Sequence, residues 1–101
     1  MLERLTWDSV ELCDNGSSIR VAFKGSPDIV PVEAWLGPPS DRVDLALFGG
    51  YPDSVEAVRL SLVPRLSTVK LPFLARRFVD RVPAKQGRIV IPLSDQPATG
   101  W

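Results

Sequence analysis

The side chains able to do chemistry are few, and none is spaced to work with another. The 101-residue chain contains no histidine and a single cysteine, Cys13. Without histidine, no side chain titrates unperturbed near neutral pH, and neither a Ser-His nor a Cys-His nucleophile can be built. Cys13 stands between Glu11 and Asp14. Acidic neighbours do not activate a thiol, so it reads as a structural residue at a strand end. One cysteine excludes an intrachain disulfide, and a zinc site would lack its ligands. Carboxylates are the remaining acid–base groups. Asp41 and Asp44 are close in sequence, but three residues apart on a strand they point to opposite faces. Asp14-Asn15-Gly16 lacks the further ligands of a calcium loop. Gly49-Gly50 lacks the lysine and the following helix of a phosphate loop. The sequence therefore predicts a protein that is not an enzyme, with no cofactor, no metal and no small-molecule substrate.

What remains is charge. The formal net charge is zero, yet it is unevenly laid out. Residues 1–58 carry ten acids and four bases, a balance of −6, and residues 59–101 carry eight bases and two acids, a balance of +6. Halves of opposite sign can cancel within a fold as neighbouring strands. They can also give a molecule acidic and basic faces, which stacks on its own copies or sets its basic face on an anionic partner. The densest basic stretch is Arg76, Arg77 and Arg81, followed by Lys85 and Arg88. Arginine forks suit carboxylates and phosphates. Nucleic-acid binding would usually bring exposed aromatics and a net basic charge. Neither is evident, so an acidic protein patch is the expected ligand. Trp101 joins these five as a candidate contact residue, since no strand requires an aromatic after Gly100.

These residues must be positioned by short elements. Ten prolines in so short a chain interrupt both helices and central strands. Strands are expected at Thr6–Leu12 and Ile19–Phe23. Asp14-Asn15-Gly16-Ser17-Ser18 joins them as a hairpin, because Asn-Gly tolerates positive φ; this reading also displaces the glycosylation sequon Asn15-Gly16-Ser17. A third strand, Ile29–Leu36, puts Val30, Val32, Ala34 and Leu36 on one face, and Pro31 within it marks an edge or a bulge. Arg42–Phe48 alternates Val43, Leu45 and Leu47 against Arg42, Asp44 and Ala46. Glu56–Val63 alternates likewise, and Arg88–Leu93 supplies the last strand. In Leu71–Val82 the apolar residues Leu71, Leu74, Ala75, Phe78 and Val82 recur at three- and four-residue steps. That spacing predicts a short helix over 71–82 with its arginines outward.

The expected architecture is a single, mainly β domain over residues 1–101. It is a small antiparallel β-sandwich or partly open barrel of five to seven short strands, with one short helix near 71–82. No run reaches the length of a membrane helix and no basic, apolar leader is seen, so cytoplasmic synthesis without a membrane partner is expected. The general appearance is that of small β-rich building blocks of multi-subunit particles, such as bacteriophage head, neck or tail proteins. The expectation is a structural or assembly subunit meeting copies of itself or other subunits, with incorporation in a virion as one destination. The alternative is a small inhibitor or immunity-type binding module that uses a basic helix face.

Overall fold

The computed structural model describes residues 2–52 and 61–93. It is mainly β, with two sheets packed face to face. The strands are β1 (Glu3–Leu5), β2 (Trp7–Cys13), β3 (Ser18–Gly25), β4 (Val30–Leu36), β5 (Val43–Gly50), β6 (Val63–Lys70), β7 (Phe78–Asp80) and β8 (Ile89–Pro92). One sheet runs β2-β3-β6. The other runs β1-β5-β4-β8, with β7 also paired to β5. All pairings are antiparallel except β5–β7, which is parallel. β1 and β7 share one edge of β5: β1 pairs with Leu47–Gly49 and β7 with Val43–Leu45.

Alternation of apolar residues builds the core, as the period of two requires. Ile19, Val21, Phe23 and Val69 come from the three-stranded sheet. Ala34, Leu36, Val43, Leu45 and Leu47 meet them from the other, each at most 1% exposed. The β2–β3 hairpin forms as its sequence predicts. Asp14, Asn15 and Gly16 take φ of 51°, 58° and 88°, the left-handed region that Asn and Gly enter most readily. The Ser18 hydroxyl donates to the Asp14 carboxylate at 2.8 Å, and Ser17 donates from backbone and hydroxyl to the Asp14 carbonyl.

Pro31 does mark a bulge. The register between β4 and β5 steps from Pro31↔Gly49 to Glu33↔Phe48, which leaves Val32 over. Its carbonyl accepts the Leu93 N–H at 2.8 Å. An extra residue turns the following side chains to the other face. Ala34 and Leu36 therefore point into the core, whereas Val30 and Val32, expected beside them, are 37% and 39% exposed. Close approach at this bulge also dictates Gly49: a Cβ there would lie 2.7 Å from the Val30 carbonyl oxygen.

Two expectations need correction. Residues 71–82 are not helical. Residues 71–77 cross one end of the sandwich as non-helical chain that bends at Pro72–Phe73, and 78–80 form β7. The burial alternates by two: Leu71, Phe73 and Ala75 turn inward, while Leu74, at 81% exposed, and Arg76 turn out. The helix would have left Phe73 off its apolar face, begun without a capping oxygen and lain between Pro72 and Pro83. The extended strap gains sheet bonds instead: Leu71 N–H donates to Ser17 O and Val43 N–H to Arg77 O, both at 2.9 Å. The strand expected at Glu56–Val63 falls mostly outside the described residues. Leu62 is not in a strand, and β6 begins at Val63.

β6 turns Val63, Arg65, Ser67 and Val69 toward the core side. The Ser67 hydroxyl is buried there without a hydrogen-bond partner. Ser67→Ala is expected to raise the unfolding free energy by about 1 kcal/mol, because an unpaired buried hydroxyl carries an uncompensated desolvation cost. Urea unfolding measures it, and a destabilised variant would show that the hydroxyl is satisfied.

Candidate functional site

The five candidate bases do not form one face. They divide among four places, and each place follows from the local chain path.

Arg76 and Arg77 lie on the strap at the end of the sandwich that also carries the β2–β3 hairpin tip and the β4–β5 loop. Together these segments border an open groove of about 720 Å³. Its walls are Asn15 and Gly16 from the hairpin, Ser40 and Asp41 from the loop, and Ala75 with the two arginines from the strap. Leu12 and Leu74 add an apolar rim, and they are 43% and 81% exposed. The hairpin tip lies against the strap: a Cβ on Gly16 would stand in ordinary contact, 3.6 Å from Leu74 Cδ2, and it is the φ of 88° that favours glycine there. Among the described residues, no hydrogen bond or ion pair engages the guanidinium of Arg76 or Arg77. Both forks are free to take a ligand from solvent.

Arg81 stands 3.8 Å from the Asp44 carboxylate on the outer side of the five-stranded sheet, with its own side chain 70% exposed. Lys85 opens the turn that leads into β8 and is exposed. Arg88 is half-buried and engaged by other residues on the outer side of the five-stranded sheet. Its guanidinium lies over the Trp35 ring at 4.2 Å from the centroid. Nε and Nη2 both donate to the Pro83 carbonyl, at 3.1 and 2.6 Å. Trp35 itself is fixed by Phe48, with ring centroids 4.2 Å apart, and by its indole N–H donating to Glu33 Oε1 at 2.9 Å. Arg88 thus pins the chain between β7 and β8. Trp101 lies outside the described residues.

Among the described residues, few contacts join an acid of the first half to a base of the second. The β3–β6, β4–β8 and β5–β7 registers set no acid directly opposite a base. Among the described residues, Asp44–Arg81 is the ion pair that joins an acid of the first half to a base of the second. Arg20 and Glu11 pair within the first half at 3.9 Å. Arg4 and Asp80 pair at 2.9 Å, each a minority charge in its own half.

Sequence reasoning missed Leu12, Leu74, Ser40 and Asp41. Leu74 fitted the apolar face of a helix, and only the extended path turns it outward beside Arg76. Among the described residues, no three His, Cys, Asp or Glu side chains gather as a metal-ligand set, and Cys13 makes only a long contact, 3.7 Å, to the Glu11 carbonyl. The groove sets the guanidiniums of Arg76 and Arg77 near an apolar rim, with the Asp41 carboxylate also on its wall. In comparisons with known proteins, no family model, no curated protein and no solved structure matches the chain.

Proposed function

We propose that this protein is a non-enzymatic assembly subunit of a multi-protein particle, of the kind represented by bacteriophage head, neck and tail components, and that its working site is the end groove holding Arg76 and Arg77. The partner is a protein segment that offers carboxylates to the two guanidiniums and an apolar side chain to Leu12 and Leu74. One observation carries the reading: two arginine forks without described partners stand beside a leucine 81% exposed. Bidentate arginine–carboxylate pairs give orientation as well as attraction, and an exposed leucine gains free energy only when something covers it. The rim argues for protein over nucleic acid, because the groove has leucines where base stacking would need aromatic rings. The opposite net charges of residues 1–58 and 59–101 favour an electrostatically guided meeting of subunits.

A photo-crosslinking residue at position 74, introduced in the native source, tests this. The expected result is cross-linked peptides from an acidic segment of another particle subunit, lost in the charge-reversed Arg76→Glu/Arg77→Glu protein. That variant should unfold at the same urea concentration as the parent, since the two side chains hold nothing in the fold. Cross-links to nucleic acid, or a pattern unchanged by charge reversal, would overturn the reading. Cross-links to one monomeric enzyme or toxin would favour an inhibitor or immunity-type module working through the same two arginines.

A further inference from the structure

The three-stranded sheet ends on both sides in open strands, β2 and β6; among the described residues neither has a second neighbour. We propose that copies of this chain join through these edges, β6 of one molecule running beside β2 of the next, so that the sheet continues from subunit to subunit. The inference rests on the assembly reading and names a second copy as one of the partners.

Backbone phase is the first argument. Leu71 N–H donates to Ser17 O, in register with the ladder Ser18↔Lys70, Ile19↔Val69 and Arg20↔Thr68. In an antiparallel ladder, hydrogen-bonded and non-bonded pairs alternate. The odd-numbered residues of β6 therefore bond to β3, and Leu66, Thr68 and Lys70 turn their N–H and C=O groups to the free edge. Pro64 alone among the even positions lacks a donor. The same alternation carried across β3 bonds Ser9, Glu11 and Cys13 to Ala22, Arg20 and Ser18. It leaves the backbone groups of Val10 and Leu12 facing the other edge.

Strand direction is the second. β2 and β6 are both antiparallel to β3, so they run parallel to each other. When one copy is repeated beside another in the same orientation, β6 meets β2 as a parallel pair. In a parallel pair, a residue whose backbone faces the neighbour sits opposite one whose backbone faces away. Thr68 then stands level with Glu11 of the next copy, as both stand level with Arg20 in their own sheet. Outward side chains stay outward on both molecules, and the two core faces remain on the same side.

Charge is the third. β2, Trp-Asp-Ser-Val-Glu-Leu-Cys, carries two acids and no base, and β6, Val-Pro-Arg-Leu-Ser-Thr-Val-Lys, carries two bases and no acid. Arg65 turns inward, where it is hydrogen-bonded. Lys70 turns out and has no partner among the described residues. In the unshifted register it lies diagonal to Glu11 of the next copy, whose side chain is 71% exposed. Diagonal neighbours at roughly 7–8 Å are within reach of a lysine. Leu66, 60% exposed on the same edge strand, is covered by the same step. The contact is head to tail, so its rotation per step decides between a closed ring and a filament.

Light scattering on the full chain, over a concentration series at low and high salt, provides the test. The wild-type protein is expected to grow beyond 11.1 kDa with concentration, more readily at low salt. Thr68→Pro removes one edge donor at a position equivalent to that of Pro64, and should stay monomeric with an unchanged circular-dichroism spectrum. Glu11→Lys and Lys70→Glu should each raise the midpoint concentration about fivefold, and the two changes combined should restore it. A wild-type monomer at every concentration, Thr68→Pro assembling as wild type, or no recovery in the double charge swap would overturn the proposal. Thr68→Pro leaves the groove intact. A wild-type protein that stays monomeric yet still cross-links an acidic subunit through position 74 would defeat this inference and leave the assembly reading standing.

Discussion

Arg65→Ala is expected to lower the unfolding free energy by about 3–4 kcal/mol, as two backbone acceptors lose their partner at once. Arg65 occupies an inward position on β6, where the strand pattern calls for an apolar residue. Its Nη1 donates to the carbonyls of Ser26 and Ile29 at 2.7 and 2.8 Å, and the guanidinium lies 5.6 Å from the Phe23 ring centroid. Ser26 and Ile29 belong to the β3–β4 turn, which crosses from one sheet to the other. The arginine is thus a tie between the sheets at the end opposite the groove. Alanine removes a donor to both carbonyls and exposes the Phe23 face. Arg65→Met keeps a stem over Phe23 and loses only the donors, so its stability should fall between alanine and wild type. Urea unfolding with a fixed slope gives both values; a loss under about 1 kcal/mol for alanine would show that water replaces the donor.

Asp80→Ala should cost about 3 kcal/mol, again through several groups at one point. The Asp80 carboxylate accepts Arg4 Nη2 at 2.9 Å and the Trp7 backbone N–H at 3.2 Å, and Arg4 Nη2 also reaches the Asp80 carbonyl at 3.0 Å. Thr6 is the single residue between β1 in one sheet and β2 in the other. A chain that changes sheets in one residue cannot keep all its backbone groups in ladders, and Asp80 takes up the Trp7 donor that the crossing leaves over. The Trp7 indole completes the corner by donating to Leu45 O at 2.9 Å. Asp80→Asn retains an acceptor but not the charge, and about half of the loss is expected. Hydrogen exchange at Leu5 and Trp7 should accelerate in both variants; protection unchanged from wild type would mean that the corner is held by packing alone.

Strands whose two faces differ were legible in the sequence. In β3 and β5 every second residue is aliphatic or aromatic, and the structure buries those positions. The Asn15-Gly16 turn and the Pro31 bulge were legible too, since both depend on backbone properties of single residues. β6 was not, because its inward positions include Arg65 and Ser67: Arg65 is accommodated by carbonyls of the β3–β4 turn, and the Ser67 hydroxyl is buried without a partner. The strap was misread for a related reason. Leu71, Leu74, Ala75 and Phe78 satisfy a helical period, and only the hydrogen bonds to Ser17 and Val43 decide for extended chain. The two strands of three residues, β1 and β7, are too short to show a period at all. Composition singled out Arg76 and Arg77 together with Arg81, Lys85 and Arg88, and only the fold separates them. Arg88 looked equivalent, but its neighbour Trp35 comes from a strand more than fifty positions earlier.

The shared edge of β5 sets an order on the making of this protein. β1 can align on Leu47–Gly49 once β5 has emerged from the ribosome, but Arg4 and the Trp7 amide wait for a carboxylate at position 80. Residues up to position 80 must be synthesised before β1 is locked. A strand early in this fold is therefore finished by nearly the last of the described strands. Closing so long a loop comes late and slowly, and until then the corner at Thr6 is the place where a nascent chain stands open to proteases and chaperones.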